Sequence, residues 1–97
     1  MDDATVRAAA EEHAHATVAK DFKVAGSTLS EPARAQAGGV MKAMPGELTS
    51  CEITGVVPSG DETVVTIAYR GDDGTTTVES RWAEIDGRPM IVSLTVV

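Results

Sequence analysis

The spacing of apolar residues predicts one long helix at the start of the chain. From Ala4 to about Lys20 there is no glycine or proline and alanine is abundant, which favours a helix. Asp2 or Asp3 can cap its first turn. At about 100° per residue, one face of this helix is mainly apolar. That face comprises Val6, Ala9, Ala10, His13 and Thr17.

Two further helical segments are expected before the chain changes its periodicity. A short helical turn around residues 21–29 should direct Phe22, Ala25 and Leu29 inward. Ser30 followed by Glu31-Pro32 is typical of a helix start, because serine caps well and proline is tolerated in the first turn. Apolar residues continue at helical spacing to Met44, but the Gly38-Gly39 pair predicts a helix that is weak, kinked or short.

The second half alternates with period two and is rich in valine, threonine and isoleucine, which predicts strands. Four strands are expected, at about 48–57, 62–70, 75–85 and 89–96, separated by the turn sequences PSGD, GDDG and DGR. Short connections predict an antiparallel meander. The expected fold is therefore α+β, a single domain over residues 1–97 with N-terminal helices packed on a curved four-stranded antiparallel sheet.

Pairing the strands across these turns predicts two sheet faces that both carry apolar residues. The Trp82 face should include Tyr69 and Ile67, joined by Ile91 and Ser93. The opposite face should include Ala83 together with Met90, Val92 and Leu94. Because one layer of short helices covers only one face, we expect the second face to pack against another copy. The sequence thus predicts a homodimer through the face that carries Met90, Val92 and Leu94.

Composition excludes several kinds of partner and site. The net charge is −7, which argues against nucleic acids and anionic membrane surfaces, since both attract clustered lysine and arginine. A single cysteine, Cys51, cannot form an intrachain disulfide or a cysteine-based zinc site. No window approaches 18 apolar residues, and the N-terminus lacks the pattern of a signal peptide. We therefore expect a cytoplasmic protein.

The pair His13 and His15 is the most prominent candidate for chemistry. Residues two apart on a helix point about 200° apart, so a shared metal ion is not expected. His15 falls beside Glu11 and Glu12 on the polar side. His13 lies on the apolar face, where it is either a buried, hydrogen-bonded histidine or a pocket histidine that exchanges a proton with a ligand.

The inward positions nearest His13 define a candidate pocket. We expect His13, Thr17, Tyr69 and Trp82 to contact a small apolar ligand there. Acid–base catalysis normally needs a carboxylate near the histidine, and the inward strand positions offer none. No catalytic residue, metal or cofactor is therefore predicted, and the chain is not expected to be an enzyme.

The order of elements, with AKDFKVAGSTLSEPARAQ at the helical junction, resembles the nuclear transport factor 2-like superfamily, which includes SnoaL-like proteins. Asp21, Phe22, Ala25 and Leu29 match a segment that often follows the first helix of such proteins. The run DGRPMIV corresponds to the last strands, with Pro89 where an aromatic residue is common. The resemblance implies a concave, cone-shaped sheet around the first helix, a pocket between them and homodimers that pack through the sheet.

The same superfamily hosts isomerases, epoxide hydrolases, cyclases and dehydratases beside non-catalytic binding domains, so fold alone does not choose a function. We expect a non-catalytic domain that binds a small apolar ligand. Two alternatives stay open. One is an enzyme of the SnoaL or ketosteroid-isomerase type that uses His13 as its base. The other is a protein-interaction module that pairs through the Met90–Leu94 face.

Overall fold

A computed structural model describes residues 2–97 of the chain as three helices followed by four strands. The elements are α1 (Asp3–Val18), α2 (Phe22–Gly26), α3 (Glu31–Ala43), β1 (Leu48–Ser59), β2 (Glu62–Gly71), β3 (Gly74–Ile85) and β4 (Arg88–Val96). The strands form one antiparallel sheet in the order β1-β2-β3-β4. The predicted α+β class and meander are confirmed.

Helix α1 begins and ends where local chemistry favours it. The Asp2 carboxylate accepts a hydrogen bond from the backbone N–H of Thr5 at 2.8 Å, which caps the first turn. The chain leaves the helix at Lys20, whose φ of 62° is left-handed. His13 and Thr17 are buried, whereas His15 is exposed. The predicted division of α1 into an apolar and a polar face is confirmed.

Helix α3 runs without interruption from Glu31 to Ala43, so the expectation of a shortened helix at Gly38-Gly39 is wrong. Contacts with β4 explain its continuity. The Gln36 side-chain oxygen accepts a hydrogen bond from the Leu94 backbone N–H at 2.8 Å. Just before the helix, the Ser30 N–H donates to the Ile91 carbonyl oxygen at 2.9 Å. Tertiary attachment therefore outweighs the low helix propensity of the two glycines.

The register between β2 and β3 is the predicted one, with Ile67 opposite Val78 and Thr63 opposite Trp82. The connecting loop is shorter than the expected four residues. Gly71 pairs with Gly74, so Asp72 and Asp73 alone form the turn. The inner face of this hairpin packs against the helices.

A bulge in β4 changes the predicted faces of the last strand. Arg81 pairs with Ser93 while Trp82 pairs with Ile91, which leaves Val92 as the extra residue. An extra residue reverses the alternation beyond it, because side chains alternate between faces with period two. Leu94 therefore lies opposite Ser80 on the inner face and belongs to the core. The prediction that Leu94 lies on the outer face and Ser93 on the inner face is wrong.

The core lies between the inner face of the sheet and helices α1 and α3. Its fully buried side chains include Trp82, Tyr69 and Ile67. The indole Nε1 of Trp82 donates to the Ser80 hydroxyl at 2.9 Å, and that hydroxyl donates to the Val65 carbonyl oxygen, also at 2.9 Å. Each polar atom of this buried chain thereby has a partner.

The outer face of the sheet is mixed rather than apolar. Two ion pairs link neighbouring strands, Arg70 with Glu52 at 2.8 Å and Arg81 with Glu62 at 3.1 Å. Val57 is well exposed beside them. Within residues 2–97, no helix has the length and the apolar composition needed to cross a membrane.

We expect Ser80→Ala to lower the free energy of unfolding by about 1–3 kcal/mol, because it leaves the indole N–H of Trp82 buried without an acceptor. Ser93→Ala is the matched control on the outer face, and its effect should stay within about 0.5 kcal/mol. Urea denaturation followed by the fluorescence of the single tryptophan measures both. Equal losses in the two variants would contradict the bulged register of β4.

Candidate functional site

A cavity of about 190 Å³ lies between the three helices and the inner face of the sheet. Apolar side chains form most of its wall, and His13, Thr17 and Tyr69 supply the polar side chains. The apolar part comprises Phe22, Ala25, Leu29, Ala37, Val40, Met41, Met44, Ile67, Val78 and Leu94, with Gly26 beside them. Such a lining suits an apolar ligand with few polar groups.

The mouth of the cavity lies between α2 and α3. Phe22 and Met41 both line the cavity, yet 54% and 40% of their surface is exposed, which places them where the cavity meets solvent. Phe22 therefore borders the cavity as expected, but it is not buried, because more than half of its surface is exposed. It is the first residue of α2, directly after the capping residue Asp21, whose carboxylate accepts from the Val24 N–H at 3.3 Å.

His13 is held at the polar end of the cavity by α2. Its Nδ1 lies 2.9 Å from the carbonyl oxygen of Ala25 and 3.3 Å from the hydroxyl of Thr28. A carbonyl oxygen only accepts, so Nδ1 carries the hydrogen and donates it to Ala25. Burial lowers the pKa of His13 below its ordinary value of 6.5, although the bond to Ala25 opposes this shift. The neutral imidazole therefore has its lone pair on Nε2.

Thr17 and Tyr69 complete the polar end. The Thr17 hydroxyl donates to the carbonyl oxygen of His13 at 2.9 Å, one turn earlier in α1. Burial raises the pKa of the Tyr69 hydroxyl above its ordinary value, and the hydrogen bond to Thr17 opposes this shift. Tyr69 is thus a neutral hydroxyl group near neutral pH.

Trp82, the fourth predicted pocket residue, does not line the cavity. It is fully buried behind His13, and the two rings meet edge to face with centroids 6.2 Å apart and planes at 84°. Such a contact restrains the imidazole orientation. The structure therefore brings His13, Thr17 and Tyr69 together at the cavity and places Trp82 as their support.

Helix α3 supplies the part of the wall that was not assigned to the pocket from the sequence. Ala37, Val40, Met41 and Met44 line the cavity. The signal was present, since these residues form the apolar stripe of α3 at helical spacing. The stripe alone indicated a buried face, and the cavity arises because α3 does not pack fully against the sheet there.

His15 lies in a different place from His13. It borders a shallow groove between α1 and β1 together with Arg7, Glu11 and Cys51. Burial raises the pKa of the Cys51 thiol, and the charge of Glu11 raises it further. Cys51 is therefore a protonated thiol, which is less reactive than a thiolate. Among residues 2–97, no three side chains of histidine, cysteine, aspartate or glutamate are grouped as a metal site would require.

Comparisons with protein-family models, curated proteins and solved structures find no match to this chain. The geometry of the cavity is therefore the basis on which a function can be inferred.

The burial of His13 predicts a loss of stability in acid. Its pKa is lowered in the folded chain, so between that value and 6.5 the unfolded chain binds the proton and the folded chain does not. The free energy of unfolding should therefore fall as the pH decreases below about 6.5, by at most about 1.4 kcal/mol per pH unit from this residue. Above that pH His13 contributes no slope.

Urea denaturation between pH 5 and 8 measures this effect as a difference between the wild type and His13→Asn. Asparagine retains an amide that can donate to Ala25 but does not titrate. His15→Asn is the control at an exposed position. The prediction fails if His13→Asn retains the acid sensitivity of the wild type.

Proposed function

We propose that this chain is a small, non-catalytic binding domain of the nuclear transport factor 2-like type, acting in the cytoplasm. It holds a small apolar ligand in the cavity between α1 and the sheet. The cavity wall is the single observation that carries this proposal, because its side chains are almost all apolar and converge on three polar groups. Three helices before a four-stranded antiparallel meander support the resemblance on which the family assignment is based.

The size of the cavity limits the ligand. At about 190 Å³ it is close to a cavity of about 150 Å³ that binds benzene and smaller than the roughly 300–1,000 Å³ of drug-sized sites. A molecule with one ring therefore fits, and a steroid-sized one does not. The described cavity wall contains no aspartate, glutamate, lysine or arginine, which favours an uncharged ligand.

The hydrogen bond of His13 favours binding over catalysis. A histidine that acts as a general base usually donates its second nitrogen to a carboxylate, which orients the ring and stabilises the imidazolium. Nδ1 of His13 donates to the neutral carbonyl group of Ala25 instead. The wall around it thus disfavours a positive charge, and the isomerase-type alternative is the weaker proposal.

Differential scanning fluorimetry with benzene and toluene tests the proposed binding. A ligand at 100 times its Kd stabilises the folded chain by about 2.7 kcal/mol. For a domain of this length that corresponds to a rise in Tm of about 10 °C or more. Ala37→Leu should fill the cavity and abolish the rise while leaving the chain folded, because position 37 lines the cavity within α3.

Ala35→Leu is the matched control, since Ala35 is on the exposed side of the same helix. That variant should respond to ligand like the wild type. Should no single-ring compound raise the Tm of the wild type, the binding proposal would be refuted and the interaction module favoured.

We also propose that two copies associate through the outer face of the sheet. The observed register keeps Val92 on this face and removes Leu94, whereas Met90 is already buried within the chain. Val64, which pairs with Arg81, lies on the same face. Val57 is 59% exposed on this face and supplies further apolar surface. The ion pairs on this face carry both signs of charge, which a second copy related by a two-fold axis can match.

Light scattering after size-exclusion chromatography tests this association. The wild type should elute as a dimer and Val64→Glu as a folded monomer, because the new carboxylate lies opposite Arg81 in the monomer but is buried in the interface. Leu94→Asp is the contrasting variant and should unfold the chain, since Leu94 belongs to the core. A monomeric wild type at micromolar concentration would contradict the proposal.

A further inference from the structure

One nitrogen in the cavity wall has no hydrogen-bond partner among residues 2–97. His13 is 93% buried, with 7% of its surface exposed. Its Nδ1 donates to Ala25, but Nε2 forms no hydrogen bond with any residue in the described part of the chain. Among residues 2–97, the hydroxyl of Ser30 is the only side-chain polar atom that is both sealed from solvent and unpartnered. Nε2 is therefore not sealed from solvent, and His13 is a lining residue of the cavity.

The bond to Ala25 decides what Nε2 can recognise. Because Nδ1 must carry the hydrogen to donate to a carbonyl oxygen, Nε2 of the neutral ring can only accept. Thr28 does not change this assignment, since its hydroxyl donates to the same carbonyl oxygen at 3.2 Å. The edge-to-face contact with Trp82 restrains the remaining rotation of the imidazole ring. The cavity thus presents a fixed acceptor at the end of an apolar chamber.

A ligand that buries an acceptor-only group against Nε2 would leave two lone pairs facing each other. A ligand that carries a hydroxyl group would satisfy both its own donor and the imidazole. An ionised carboxylate would meet an acceptor and a wall without lysine or arginine, so its desolvation would not be compensated. The volume of about 190 Å³ leaves room for one ring beside this hydroxyl.

We propose that the cavity binds a neutral phenol, a single aromatic ring whose hydroxyl group donates to Nε2 of His13. This inference rests on the proposed function, because it names the class of ligand for the same cavity. Tyr69 and Thr17 line the same polar end of the cavity, where the phenol oxygen would lie. The ring of the ligand then lies against the apolar residues of α3 and reaches toward the mouth at Phe22.

Isothermal titration near neutral pH with 4-methylphenol and 4-fluorotoluene tests the proposal. The two compounds have almost the same size, and only the phenol donates. The quantity measured is the ratio of their Kd values in the wild type and in His13→Asn, which keeps a donor for Ala25 and removes Nε2. This comparison cancels the difference in hydration between the compounds.

We expect the preference for 4-methylphenol to fall about three- to tenfold in His13→Asn, the range of one net hydrogen bond. His15→Asn, at an exposed position of the same helix, should leave the ratio unchanged. An unchanged ratio in His13→Asn, with both compounds still bound, would overturn the role of Nε2 and leave the proposed function intact. Absence of binding by both compounds to the wild type would refute the proposed function and this inference together.

A measurement on the wild-type protein does not depend on whether the His13→Asn variant is stably folded. Long-range ¹H–¹⁵N NMR of the imidazole distinguishes the protonated Nδ1 from the lone-pair nitrogen Nε2. Addition of 4-methylphenol should move the Nε2 resonance toward that of a protonated nitrogen, whereas 4-fluorotoluene should not. A hydrogen found on Nε2 in the unliganded protein would overturn the proposal, as would tighter binding of 4-methylbenzoate than of 4-methylphenol.

Discussion

The hydrogen bond from Nδ1 of His13 to the carbonyl oxygen of Ala25 is the interaction on which the cavity depends. It joins α1 to α2 inside the protein, where neither group has access to bulk water. A bond in such a place is costly to break, since both groups would remain desolvated. The same bond fixes the ring against Trp82 and sets the hydrogen on one nitrogen. The position of α2, and with it the mouth of the cavity, follows from this attachment.

The cavity exists because the interior is built mainly from small side chains. The chain has only three aromatic residues, and one of them, Phe22, lies at the surface. Alanines form much of the contact between α1, α3 and the sheet, including Ala10, Ala14 and Ala33. Trp82 and Tyr69 fill the space next to β2 and β3, but no comparable side chain from α3 reaches across to them. The sheet and the helices therefore remain separated by an unfilled volume.

The sequence predicted the strands and the β2–β3 register because period-two patterns and glycine turns are local signals. It also predicted the burial of His13, since the angular position of a residue on a helix follows from counting. The bulge at Val92 was not predictable in this way, because one extra residue leaves the composition of β4 unchanged while reversing the face of Leu94. The sequence predicted the correct face for Trp82 but wrongly assigned it to the cavity wall, because the face of a residue does not give its depth in the core.

Gly38 and Gly39 affect how often the helical wall of the cavity opens. Both lie in α3, between the wall residues Ala37 and Val40, and a Cβ atom at either position would meet nothing within 4 Å. Packing therefore does not require glycine there, and the pair lowers the stability of the helix by about 2 kcal/mol relative to alanine. Transient local unfolding of α3 is about 30-fold more populated as a result. The two glycines thus make opening of this part of the cavity wall more frequent without contributing side chains to the wall itself.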